Sequence, residues 1–303
     1  MERYELEQSQ TLPFELKIWK NLQRIREWYN HWHGQVYVSF SGGKDSTVLL
    51  HLVRAIYPGV PAVFCDTGLE YPEIRKFVNE HENVIVIRPK KNFRAVIEEY
   101  GYPLVSKEVS QNVHEARLPN DTKNKARRLK QLGKWRFLVN SPFKISHMCC
   151  DVMKKRPFRE YERSSGNCMI TGEMASNSRL RRMQYLRTGC NSFDSKRPKS
   201  TPLGFWFEGD VLRYLRDYSV PYCSVYGDII EVEGKLVTTG EERTGCMFCM
   251  LGIHMERGSN RFVRMQSTHP RLWKYCIYQL GVGKVLNYID IPYKDYFTNE
   301  KTS

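Results

Sequence analysis

Between residues 13 and 33, apolar side chains fall at Leu16, Trp19, Leu22, Ile25, Trp28 and Trp32, a three-and-four spacing that predicts an amphipathic helix ended by Gly34. The period then changes. Residues 36–40 form a short apolar run, which predicts a buried strand, and residues 46–56 return to helical spacing before Tyr57-Pro58-Gly59. The alternation continues with a strand at 62–65, a helix at 72–80 and a strand at 84–87. Farther on come a strand at 168–171, a loop rich in Ser, Lys and Pro at 191–202, a helix at 208–218 and a final helix near 270–280. Strands and helices taking turns at this pitch predict an α/β fold, a doubly wound parallel sheet with flanking helices.

Length and charge sharpen this picture. A chain of 303 residues holds one large domain or two coupled ones. Its organisation reads as an N-terminal helix (1–33), a sheet domain (34–222) and a small cysteine-bearing C-terminal region (223–303). Within the sheet domain, the stretch near 117–140 stands apart: Lys123, Lys125, Arg127, Arg128, Lys130, Lys134 and Arg136 face only Asp121, which predicts a basic helical insertion. Over the whole chain, 47 Lys and Arg against 33 Asp and Glu give a formal charge of +14. Such a surplus favours polyanionic partners, a nucleotide or nucleic acid, although solvated basic faces also serve solubility. No stretch approaches 18 continuous apolar residues and the first twenty contain no apolar leader core, so the expectation is a cytoplasmic protein with no membrane partner. Nine cysteines in that setting point to metal rather than disulfides.

The densest chemistry follows the first strand, in Ser41-Gly42-Gly43-Lys44-Asp45-Ser46. A strand running into two glycines and then a helix gathers backbone N–H groups and a positive helix end at one point, where an anion is favoured. Lys44 adds a cation, and Ser41, Ser46 and Thr47 add hydroxyl donors. The spacing excludes a Walker A loop, which places Ser or Thr directly after its lysine, the position Asp45 occupies here. Asp45 beside a phosphate would repel it, so its expected roles are to cap the helix or to hold Mg²⁺.

This hexapeptide resembles the signature of the PP-loop ATP pyrophosphatases, the adenine nucleotide alpha hydrolases. Phe64-Cys65-Asp66-Thr67-Gly68-Leu69-Glu70-Tyr71-Pro72-Glu73 is similar to the second-strand motif of their phosphoadenosine phosphosulfate (PAPS) reductase branch. So are Cys149-Cys150 with Lys154-Lys155 and Pro157, the Thr171-Gly172 turn with Arg179, and the segment from Pro202 to Leu215. Taken together the matches span roughly residues 36–250. The resemblance implies a site for ATP, or for PAPS or adenosine phosphosulfate (APS), in which Asp66 and Thr67 lie beside the ribose, Gly172 lines the loop, and Lys154 and Arg179 steady the phosphates. Asp66 is equally readable as a helix N-cap.

Cys149-Cys150 and Cys246-Met247-Phe248-Cys249 supply four soft thiolates, suited to zinc or to an iron–sulfur cluster. Adjacent cysteines reach two corners of a cube more easily than one small tetrahedron, and the layout resembles the [4Fe–4S] site of APS reductases. Cys190 is a candidate fifth thiolate or sulfur carrier. Cys65, Cys168, Cys223 and Cys276 read as small buried hydrophobes.

The nucleophilic Glu-Cys-Gly-Leu-His segment of the reductases has no counterpart here, and the last cysteine, Cys276, lies in a helical stretch. The resemblance therefore favours the ATP-using relatives, which adenylate an acceptor, release pyrophosphate and let sulfur displace AMP, as in DNA phosphorothioation. The implied partners are DNA or tRNA as acceptor and a protein donating sulfur or electrons. Lys44, Asp45, Lys154 and Arg179 are then the catalytic candidates. Reduction of PAPS or APS to sulfite is the alternative, and a non-catalytic nucleotide or nucleic-acid binder the third.

Overall fold

A strand with apolar residues on both of its faces has neither to give to water, so it must lie inside a sheet covered on both sides. In the computed structural model, which describes residues 2–119, 122–256 and 258–294, that place belongs to β1 (Val36–Ser39). The other strands among the described residues are β2 (Ala62–Cys65), β3 (Val84–Ile87), β4 (Leu104–Val105), β5 (Cys168–Thr171), β6 (Asn191–Ser192), β7 (Lys199–Ser200), β8 (Ile229–Val232), β9 (Lys235–Thr238) and β10 (Met250–Leu251).

The chain divides into two compact units that cut across the expected boundaries at residues 33 and 222. One takes in residues 1–66, 70–88 and 157–244; the other takes in 67–69, 89–156 and 245–303.

The first unit carries the expected doubly wound sheet, in the order β3-β2-β1-β5-β7-β6. Pairing is parallel from β3 through β7, and only the two-residue β6 runs antiparallel at the edge. That edge pair lies in the stretch read as loop, because two residues are too few to show a period. Val36, Tyr37 and Val38 are at most 1% exposed, as a central strand requires. The chain runs outward from β1 to β2 and β3, then returns to place β5 on the other side of β1. The order of strands thus reverses between β1 and β5, where open α/β sheets bind ligands at their carboxyl ends.

The N-terminal region differs from expectation. Helices span Arg3–Gln10 and Phe14–His31, and the second buries Phe14, Lys17, Asn21, Ile25 and Trp28 while Leu16 and Trp19 are half exposed or more. Two polar residues lie on the inner face because each has a partner there. Lys17 Nζ binds both oxygens of Asp210 (2.9 and 2.7 Å). The Asn21 amide is placed to donate to the Pro202 carbonyl (2.6 Å) and accept from Trp206 Nε1 (2.8 Å).

The second unit is mainly helical, with β4 and β10 paired in parallel. Its basic stretch forms the helix Thr122–Leu132 followed by 3-10 turns at Gly133–Asn140, while Asp121 lies outside the described residues. The Arg117 guanidinium donates to the carbonyls of Leu138, Val139, Ser141 and Phe143, satisfying backbone acceptors that the irregular turns leave open. The expected final helix, Pro270–Lys274 continued by a π-helical turn at Tyr275–Gln279, is followed by one more, Val282–Tyr288.

Candidate functional site

At the carboxyl end of β1 the chain turns through Ser41-Gly42-Gly43 into the helix Lys44–Ile56. Gly42 sits at φ +69°, and a β-carbon there would lie 2.9 Å from the methyls of Ile74 and Val78. Only glycine combines that torsion with that clearance. The loop is held by its own hydroxyls: the Ser41 N–H donates to Ser46 Oγ (3.1 Å), Ser46 Oγ donates to the Gly43 carbonyl (2.9 Å), and Thr47 Oγ1 donates to the same carbonyl (3.1 Å). Gly172, just beyond β5, packs so closely that a β-carbon would meet the Asp45 carbonyl oxygen at 3.0 Å. The turn after β5 therefore closes over the loop after β1, at the reversal of strand order.

Residues far along the chain complete this loop. The Lys44 N–H donates to the Tyr226 hydroxyl (3.2 Å), which is itself 2.6 Å from Thr244 Oγ1. The buried Lys44 ammonium pairs with Glu208 (2.5 Å), donates to the Glu242 carbonyl and lies over the Tyr226 ring. Sequence reasoning missed Glu208, Tyr226, Glu242 and Thr244, because no local pattern ties them to a loop some 160–200 residues away. The nearest signal was the short polar run Glu241-Glu242-Arg243-Thr244 before the second cysteine pair.

Asp45 does not cap the helix; that position is Gly43. Its Oδ1 is buried without a hydrogen-bond partner. Burial pushes the carboxyl above its ordinary range, Glu208 adds to the rise, and Lys44, Arg181 and Arg243 oppose it. An orphaned, buried carboxylate oxygen beside a lysine fits a site for a hard divalent cation such as Mg²⁺ accompanying a phosphate. Of the expected anion ligands, Arg179 is exposed at the first position of the helix Arg179–Thr188, and it is Arg181 whose charge reaches Asp45. Asp66, at the end of β2, is buried and ion-paired to Arg75 (3.0 Å) and Arg88 (3.3 Å). It is not an N-cap, since the next helix starts at Pro72 with Tyr71 as cap.

In the second unit, Cys149 and Cys150 lead into a π-helical turn at Asp151–Lys155, and Cys246–Cys249 closes on itself through the Cys249 N–H to the Cys246 carbonyl (3.0 Å). The Met247 N–H donates to the Leu69 carbonyl (2.8 Å) and the Gly252 N–H to that of Val105 (2.8 Å), anchoring both flanks. Thr67 turns inward here, its Oγ1 accepting from the Leu69 N–H (3.2 Å). Cys150, Cys246 and Cys249 lie near enough to Cys149 for their charge to act on it. Burial first, then Cys150, Cys246 and Cys249, pushes Cys149 far above the ordinary thiol range, while Lys154 opposes the rise. Cys249 is pushed up to about 11 by burial and by Cys246 and Cys150, against a backbone N–H from Leu251 and the charge of Arg261. Among the described residues, no group of three or more His, Cys, Asp or Glu side chains is arranged to hold a metal ion. Four soft donors with nearby compensating cations fit the chemistry of a polynuclear sulfur-ligated centre. Lys154 thus stands beside the cysteines.

The remaining thiols sort by burial. Cys65, Cys223 and Cys276 are buried, as expected of small hydrophobes, and Cys168 is half-buried. Cys190 is buried, and burial pushes it up to about 12.

Comparison with known proteins supplies the context for this geometry. An uncharacterized protein of Methanocaldococcus jannaschii is 27% identical over 257 residues, covering 82% of this chain and 42% of the relative. The adenosine 5'-phosphosulfate reductase of Staphylococcus haemolyticus is 26% identical over 213 residues, covering 68% of this chain and 72% of that enzyme. The U34-tRNA thiolase NcsA of Methanococcus maripaludis, solved with its [4Fe–4S] cluster, overlays with a TM-score of 0.38 at 15% identity, over 95% of this chain and 86% of that one. The chain spans about half the length of the two M. jannaschii relatives it matches, 42% and 50%. Residues 35–250 match the model of the phosphoadenosine phosphosulfate reductase domain, and with it the chain belongs to the PAPS reductase family of the adenine nucleotide alpha hydrolase superfamily.

Proposed function

We propose that this protein is a PP-loop enzyme that binds ATP, adenylates an acceptor with release of pyrophosphate, and passes sulfur to the activated position. The observation that carries the reading is the loop at residues 41–46, with a buried lysine and a partnerless carboxylate oxygen at the point where the strand order reverses. Loop N–H groups, the hydroxyls of Ser41 and Ser46, and Lys44 would hold the departing pyrophosphate. Asp45 would hold Mg²⁺, which supplies charge neutralisation to the phosphates. Arg181 and Arg243, with Arg179, are the further cations available to the α-phosphate. Cys149, Cys150, Cys246 and Cys249 would hold a [4Fe–4S] cluster, whose chemistry is to bind and deliver sulfur. Lys154 would offset the thiolate charge at that centre. A nucleic acid, DNA or tRNA, suits the acceptor because of the net charge of +14 and the basic helix Thr122–Leu132.

Reduction of a sulfonucleotide is the second reading, favoured by the likeness to the staphylococcal APS reductase. Against it, Cys190 and Cys276 are buried thiols pushed upward by that burial, whereas the attacking species in such chemistry is a thiolate. The test uses protein prepared without oxygen, incubated with ATP, sulfide and a tRNA or DNA pool, or with APS or PAPS and a dithiol reductant. Expected are AMP and pyrophosphate from ATP only with the acceptor pool, lost in Lys44→Ala, and a brown protein that Cys246→Ser bleaches. Sulfite from APS or PAPS with no pyrophosphate from ATP would overturn the reading, and colourless protein holding stoichiometric zinc would overturn the cluster.

A further inference from the structure

The first unit has a cavity that the proposed mechanism does not use. It measures about 570 Å³ and is lined by Arg159, Glu162, Arg163, Cys168, Lys196 and Arg197, among others. Its place in the sheet is fixed by register. Cys168 is the first residue of β5 and pairs with Val36, the first of β1. Lys196 and Arg197 lie just before β7. The cavity therefore opens at the amino ends of the parallel strands, whereas the Ser41–Ser46 loop follows the carboxyl end of β1.

Arg163 and Lys196 add two cations to the Glu162–Arg197 pair around this cavity, with Arg159 also in its lining. The carboxylate is already committed. Glu162 accepts two hydrogen bonds from the Arg197 fork (2.7 and 2.8 Å) and one from the Tyr37 hydroxyl (2.8 Å). Tyr37 is fully buried in the central strand, and burial with the Glu162 charge beside it holds its phenol neutral, so it remains a donor. Glu162 and Arg197 are thus pinned from inside the fold. Cys168 adds no negative charge, because burial and Glu162 push its thiol up to about 11. Arg159, Arg163 and Lys196 are exposed around this pinned pair. Guanidinium groups match phosphate oxygens in pairs, and a cavity within the range of roughly 300–1,000 Å³ admits a group the size of a nucleotide rather than a lone ion.

We propose that this cavity is a second anion site, taking phosphate groups carried either by a small phosphorylated compound or by a nucleic-acid backbone. The site is independent of the adenylation chemistry, and its test is run with the first anion site disabled. In Lys44→Ala protein, calorimetry measures binding of inorganic pyrophosphate, and fluorescence anisotropy measures binding of a labelled single-stranded RNA of about twelve nucleotides. Both are compared with the same protein carrying Arg163→Glu and Lys196→Glu. The expected result is at least a tenfold loss of pyrophosphate affinity. If RNA affinity falls equally and its log–log salt slope drops by about 0.7 per lost contact, the backbone is the source; if pyrophosphate alone is lost, it is a small phosphate compound. Changes below twofold for both ligands overturn the proposal. Should the charge reversals unfold the protein, Arg163→Gln with Lys196→Gln removes the charges at nearly constant shape, and the same thresholds decide.

Discussion

Asp45 sits in the first turn of its helix, where the macrodipole favours a carboxylate, yet burial outweighs that help and its Oδ1 has no partner. Its folded-state pKa is therefore raised above the unfolded value. Protonated Asp45 stabilises the folded state relative to ionised Asp45, so this contribution is complete below the unfolded pKa and disappears as pH rises through the folded one. Asp45→Asn removes the titration. In metal-free protein the variant should melt above the wild type by a margin that grows with pH across this window, roughly 2–4 °C for each kcal/mol relieved. Melting curves from pH 4 to 8 that instead place the variant below the wild type throughout would count against a strained carboxylate. At this scale the sequence made the hexapeptide legible, since glycines, lysine and hydroxyls sit side by side. Tyr226 and Glu208 were illegible: their bond to Lys44 exists only once the chain has folded back across some 160–180 residues.

Among the elements, the turn from β1 into its helix depends on one torsion. Gly42→Ala would force a left-handed backbone on alanine and press its methyl into Ile74 and Val78 on the helix Pro72–Asn79. A loss of roughly 1–3 kcal/mol is expected from urea unfolding. Gly59→Ala, where a β-carbon meets nothing within 4 Å, should change stability far less. Equal effects would show that the clearance at Gly42 does not matter. Strands β1, β2, β3 and β5 were readable to within a residue because each is a short, mainly apolar run between breakers, β3 included although Ile85 and Val86 are exposed. The helix Phe14–His31 was read with its face rotated in the N-terminal half, because hydrophobicity alone cannot anticipate that Lys17 and Asn21 find partners at Asp210, Pro202 and Trp206.

For the molecule as a whole, ligand binding adds to stability by mass action. ATP with Mg²⁺ at a hundredfold excess over its dissociation constant should add about 2.7 kcal/mol. With chelator replacing Mg²⁺, less than half of the resulting rise in melting temperature should remain, because Asp45 then faces the phosphates without its cation. Equal shifts with and without chelator would remove the metal from Asp45. No helix among the described residues is long and apolar enough to cross a membrane. Two coupled units were within the sequence reading, but not that each is built from separated stretches of the chain. Residues 89–156 leave the sheet unit and belong with 245–303.

The ammonium of Lys44 is already matched by Glu208 before any nucleotide arrives. On the proposed reading a bound phosphate would take the place of that carboxylate, and the loop would work as an ion exchanger: an uncharged nucleoside has nothing to trade, while a polyphosphate outbids a single carboxylate. Selection for charge on the ligand would then be set by Glu208, a residue that need never touch it.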